Sequence, residues 1–186
     1  MSSDAIIGFI FGLMSSLVSG IVLFWLQGRR DVQNEMLRQR RDDIRVARNW
    51  ENDEKKISLR GFDLAGANLS GKDLSGADLE DANLEGAQIW ETDLSGANLI
   101  GARFRKAKLF GAKLNGAELS FSDFTGAYLR NTDFSGAKLS GAKFLKLKEL
   151  TNCIWKDVEF DETPEWSTEV MNEIQKQVSS QKDKSK

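Results

Sequence analysis

The chain has 186 residues, with 26 Lys and Arg against 28 Asp and Glu, and its net charge of -2 excludes a global excess that would draw it to nucleic acid. It has no His and one Cys, Cys153, which excludes a His/Cys metal centre, a nucleophile–His pair and an internal disulfide. A single Pro excludes a Pro-rich linker.

Ala5 to Leu26 reads AIIGFIFGLMSSLVSGIVLFWL, without one charge. At about 1.5 Å per residue such a helix reaches ~33 Å, enough for a hydrocarbon core of ~30 Å. A cleaved signal peptide would need a basic start, and Met1–Asp4 has none. The segment 1–28 is therefore expected to be a single transmembrane anchor, with the lipid bilayer as its first partner. Arg29, Arg30, Arg38, Arg40 and Arg41 follow the span and nothing basic precedes it. The positive-inside rule puts the N-terminus outside and the remainder in the cytoplasm. Gly8, Gly12, Ser16 and Gly20 fall four apart, the spacing of a close-packing helix face, and offer a route to self-association.

Residues 29–56 are charged and lack Gly and Pro after Gly28. They predict a juxtamembrane helix of good helix formers. Its apolar residues are too sparse for a strong coiled coil. Trp50 and Ile57 are expected to pack on the next domain.

From Leu59 to Phe144 every fifth residue is Leu, Ile or Phe, eighteen positions in all. Twelve of the residues two places earlier are Ala, and most of those two places later are Gly. An α-helix cannot hold a five-residue stripe on one face, because five steps of about 100° leave it rotated by ~140°. Strand alternation fails because five is odd. A short extended piece followed by a corner resets the phase. Ala and Leu then both point inward and Gly supplies the corner. The chain winds around its own side chains.

The stretches ANLSGKDLSGADLEDANLEGA and GAKLNGAELSFSDFTGAYL resemble the pentapeptide-repeat family, whose pattern is A(D/N)LxG. The resemblance implies an all-β solenoid, a right-handed quadrilateral β-helix with four repeats per coil. Stacked residues should then lie 20 apart. Leu59, Leu79, Leu99, Leu119 and Leu139 form one such column, and Leu64, Leu84, Phe104, Phe124 and Phe144 another. Lys72 stands where Ala is expected and should snorkel from an open first coil.

The β-helix is assigned to 57–160 and a C-terminal capping helix with a disordered tail to 161–186. Phe62 and Ile57 suit a covered first coil. TNCIWKDVEF is expected to leave the period. Thr163 as cap, Pro164 at the first helical position, and the stripe Trp166, Val170, Ile174 and Val178 predict a lid on the last coil, with Cys153 buried beneath it. Ser179–Lys186 is expected to be unstructured.

Asp73, Asp78, Asn83, Asp93 and Asn98 resemble a ligand ladder, but such side chains can bond corner backbone, and no catalytic or metal role is assigned. No cofactor is expected. Trp90 and Phe110, 20 apart, share a corner column with Tyr128 nearby, while Ile100 and Phe121 sit at the opposite corner. These are candidate partner contacts. Residues 60–99 carry eight acids and two bases, and 100–144 three acids and eight bases. Arg103, Arg105, Lys106, Lys108 and Lys113 form a block suited to an anionic surface.

Together these features predict a non-enzymatic, membrane-anchored scaffold that binds another, unidentified protein, with no nucleic acid. The alternative is a DNA-mimic protein acting on a type II topoisomerase, a role the resemblance brings with it. A bacterial plasma membrane is the expected location, with a photosynthetic membrane as the alternative.

Overall fold

The computed structural model describes residues 3–50, 58–161 and 166–184, with side chains described from 25 onward in the first helix and up to 176 in the last. The chain divides into Met1–Arg41 and Asp42–Lys186.

Helix α1 runs without a break over Ser3–Arg48. In the first unit, its described apolar side chains Trp25, Val32 and Met36 are exposed, and the Arg29 guanidinium stacks over the Trp25 ring at 4.1 Å. Among the described residues, no helix is long and apolar enough to cross a membrane. The side chains of 5–24, which make up nearly all of the uncharged stretch, lie outside the described residues, as do those of Gly8, Gly12, Ser16 and Gly20. Of the helix expected to residue 56, α1 is described to Arg48, and 51–56 lie outside the described residues. α1 ends at Arg48, where Trp50 N–H bonds the Ala47 carbonyl at 3.4 Å in a tight final turn. Trp50 leaves the helix to be buried against the second unit's core. Ile57 lies outside the described residues.

From 58 onward the backbone repeats a two-residue turn and a one-residue bridge. Each bridge is parallel, and as far as Asp123↔Lys143 each pairs residues 20 apart, as in Asp63↔Asn83 and Asn83↔Arg103. Twenty residues per coil and five per repeat give four sides. The first side carries Asp63, Asn83, Arg103, Asp123 and Lys143, and the second Asn68, Gln88, Lys108, Tyr128 and Glu149. The third carries Asp73, Asp93, Lys113, Asp133 and Ile154, and the fourth Asp78, Asn98, Glu118, Lys138 and Glu159.

The interior is filled, not hollow. The Leu59, Leu79, Leu99, Leu119 and Leu139 column is fully buried. Phe104, Phe124 and Phe144 stack face to face at 4.6 and 4.7 Å. That spacing is the rise between paired strands, about 4.7–4.9 Å, imposed on the rings by the backbone ladder. Polar inward residues are satisfied locally. The Thr92, Thr132 and Cys153 side chains donate to the carbonyls of Leu69, Leu109 and Leu129 at 2.9, 2.8 and 2.7 Å. Lys72 opens the same column and is half-buried. The Asp and Asn before each core residue accept the N–H two residues on, as in Asp93 with Ser95 at 3.0 Å and Asn68 with Ser70 at 3.1 Å. They close corners.

Two expectations about the C-terminal end are corrected. TNCIWKDVEF does not leave the period but slips it. Leu150, Trp155 and Phe160 keep the five-residue spacing, shifted by one. The Lys148 N–H bonds the Ala127 carbonyl while the Leu129 N–H bonds the Glu149 carbonyl. Two residues therefore oppose Tyr128, a β-bulge; the bridges Tyr128↔Glu149, Asp133↔Ile154 and Lys138↔Glu159 pair residues 21 apart, and the last, Phe144↔Trp166, residues 22 apart. Trp155 stacks on Phe134 at 4.4 Å and extends the core. Secondly, α2 spans Thr168–Lys184. It starts after Ser167, whose carbonyl accepts the Val170 and Met171 N–H groups, and it continues past Ser179. Thr163 and Pro164 lie outside the described residues, as does the side chain of Val178. Trp166 is not helical. It bridges Phe144, and its indole N–H bonds the Ala142 carbonyl at 2.9 Å. With Val170 and Ile174 it covers the last coil.

At the other end the last turn of α1 replaces a missing coil. The Asp43 carboxylate accepts the Asp63 N–H at 3.0 Å, and Arg48 donates to the Asn68 carbonyl at 3.3 Å. Ala47 and Trp50 supply the apolar cover, with Phe62 packed beside the core.

Candidate interaction surface

The corner between the second and third sides carries Trp90, Phe110 and Arg130, one per coil. Trp90 is 41% exposed. The Trp90 and Phe110 rings lie 6.1 Å apart, and Tyr128 on the second side meets Phe110 edge-on at 5.9 Å. Two cations cover the group. Lys108 stands 6.0 Å from the Trp90 ring and Arg130 5.0 Å from the Phe110 ring. Five side chains spread over 41 residues of sequence thus form one aromatic–cation cluster, in which Trp90 is exposed and Phe110 and Tyr128 are half-buried. Sequence reading found the three aromatics but missed Arg130. Its position 20 after Phe110 was the available signal.

At the diagonal corner, between the fourth and first sides, Ile100 is half-buried and Phe121 is 69% exposed. Phe121 has φ +61°, a left-handed backbone uncommon for a bulky residue. Its ring lies across Gly141 one coil further on. Phe121 and Ile100 do not form an aromatic cluster like the one opposite.

The basic block is divided by the winding. Arg103 lies on the first side, Arg105 and Lys106 at the corner between the first and second, and Lys108 on the second. Lys113 faces elsewhere, on the third side, paired with Asp93 at 3.2 Å. Lys113 is therefore not part of the same patch. Arg105 and Lys106 approach Asp123 and Glu85 at 3.4 and 3.8 Å.

The third and fourth sides are acidic. A hydrogen bond from Ser95 holds the Asp93 carboxyl below the usual carboxylate range, against the opposing pull of burial and with help from Lys113. Burial pulls Glu118 upward, but hydrogen bonds from Lys138 and Ser120 outweigh it and hold the group low. Among the described residues, no group of three or more Cys, Asp or Glu could hold a metal ion.

The sequence model described as Pentapeptide repeats matches in three overlapping stretches, 57–89, 77–116 and 112–146. No curated protein matches the chain. Among solved structures, the chain is similar to the pentapeptide repeat protein Rfr23 from the cyanobacterium Cyanothece 51142, at 32% identity over 62% of this chain and 68% of that one, with a TM-score of 0.38. It is also similar to HetL, a pentapeptide repeat protein involved in heterocyst differentiation regulation in the cyanobacterium Nostoc, at 23% identity over 55% and 73% of the two chains, TM-score 0.32. QnrB1, a plasmid-mediated fluoroquinolone resistance protein, aligns at 19% identity over 67% and 62%, TM-score 0.42.

Proposed function

The chain belongs to the pentapeptide-repeat family through residues 57–146, whose fold is a right-handed β-helix, and on that premise we propose that it is a membrane-anchored scaffold that binds another protein. The observation that carries the scaffold reading is the cluster of Trp90, Phe110 and Tyr128 under Lys108 and Arg130. Its backbone is held by ladder bonds on both neighbouring coils, so little ordering entropy is lost on binding. Trp, Tyr and Arg are the side chains enriched at the hot spots of protein interfaces, and Trp90, Tyr128 and Arg130 bring all three together. The anchor rests on Ala5–Leu26, uncharged and long enough to span, with basic residues only after it. Residues 1–28 are the anchor, the N-terminus lies outside, and the repeats face the cytoplasm.

The test is photo-crosslinking in intact membranes with the probe at Trp90, followed by mass spectrometry. The expected result is one protein adduct that disappears when the probe moves to Ser140 at the diagonal corner. In a separate pull-down, a Trp90→Ala/Phe110→Ala variant that still folds should fail to capture that protein. Identical adducts from both positions would overturn the reading.

A further inference from the structure

Charge segregates around the solenoid, not only along it. From Arg103 to Glu149 the first side, its corner and the second side hold seven cations and two carboxylates. Arg103, Lys108 and Lys148 are exposed on the two sides, and Arg105, Lys106 and Lys146 on the corner between them. Among the described residues, no carboxylate stands within ion-pair distance of Arg103 or Lys108. On the third and fourth sides Lys113 and Lys138 each pair closely with a carboxylate one coil back, Asp93 at 3.2 Å and Glu118 at 2.9 Å, whereas on the basic edge Arg105 and Lys106 stand farther from Asp123 and Glu85, at 3.4 and 3.8 Å.

We infer that the edge between the first and second sides is a docking surface for a bilayer rich in anionic lipid, with Arg103, Arg105, Lys106, Lys108, Lys146 and Lys148 meeting the headgroup phosphates. The cations recur on successive coils of a backbone ladder, an extended array that suits the phosphates of a lipid surface. The chain's own uncharged stretch Ala5–Leu26 keeps a bilayer within reach. The Trp90 corner adjoins the second side, with Lys108 and Tyr128 shared between the two surfaces. The inference does not require the anchor.

The test uses the full chain mixed with phosphatidylcholine vesicles, with and without about a third phosphatidylglycerol. A polarity-sensitive fluorophore is placed on Thr125→Cys, on the basic corner, or on Ser95→Cys, on the diagonal corner. Cys153 is buried and stays unlabelled. At position 125 the emission should shift to the blue only with phosphatidylglycerol, and the shift should vanish near 1 M salt, where the Debye length is about 3 Å. Position 95 should not respond. Each cation near an anionic surface is worth about a factor of five, so Arg103→Gln/Arg105→Gln/Lys108→Gln should raise the lipid concentration at half-response about a hundredfold. An unchanged far-ultraviolet spectrum and melting point keep that variant interpretable. Resistance to alkaline carbonate reads the anchor separately and should not depend on lipid charge. A position-125 label indifferent to phosphatidylglycerol, or equal responses at 125 and 95, would overturn the assignment. The first of these outcomes would leave the edge to an acidic protein.

Discussion

Gly141→Ala and Gly96→Ala separate two costs that share one backbone geometry. Both glycines sit at a corner in the left-handed region, φ +67° and +63°. A Cβ added at Gly96 meets nothing within 4 Å, so Gly96→Ala carries only the conformational penalty. That is roughly 1–2 kcal/mol, part of it offset by the smaller unfolded-state entropy of Ala, leaving about 1 kcal/mol. A Cβ at Gly141 would stand 2.5 and 2.7 Å from two atoms of the Phe121 ring. The ring is exposed enough to swing aside, at the cost of an unfavourable rotamer, about 0.5–1.5 kcal/mol. Gly141→Ala should therefore cost about 1.5–2.5 kcal/mol. At this chain length, 1 kcal/mol moves the melting temperature by about 2–4 °C. The gap between the two variants should be about 2–4 °C by circular dichroism. It should close in a Phe121→Ala background, because the clash is pairwise. Equal melting points for the single variants, or a gap that survives Phe121→Ala, would refute a ring packed on Gly141.

Phe121→Gly should stabilise the fold by about 1 kcal/mol by relieving the left-handed strain, measured by the same melts. Leu99→Ala should cost about 2–5 kcal/mol through a cavity at the centre of its fully buried column, and a loss under about half a kcal/mol would contradict that burial. Burial pushes the Cys153 thiol up to about 12 from 9.0, a raised pKa, so its contribution is complete below pH 9.0 and falls as pH rises toward 12. Native protein should resist a disulfide reagent at neutral pH and react only on unfolding. The Asp73, Asp93 and Glu118 carboxyls have depressed pKa values, so their contribution is present above the ordinary carboxylate range and falls as pH drops through their folded values. Asp93→Asn should flatten the acid limb of a denaturation-versus-pH curve, and an unchanged limb would contradict the Ser95 and Lys113 contacts.

The five-residue period was legible because it is local. The large residue, the small residue two places earlier and the Gly two places later constrain one repeat at a time, and repetition sums those constraints into a solenoid. The columns of Leu99 and Phe124 follow by arithmetic once a coil has 20 residues. Trp90 and Phe110 could be placed at one corner, with Tyr128 nearby, in the same way. The slip after Phe144 could not. A β-bulge at Lys148–Glu149 inserts one residue, and a fixed-period reading takes the shifted Leu150, Trp155 and Phe160 for irregular chain.

By itself, then, the sequence determined the winding, the inward set and the corners, because each depends on residues five or fewer apart. Tertiary structure decided what depends on neighbours a full coil away. It set Arg130 over Phe110 and took Lys113 out of the basic block onto Asp93. It also used Asp43 at the end of α1 in place of a missing strand. Winding converts a separation of 20 residues into contact, and charges that alternate along the chain become a basic edge and an acidic face around it.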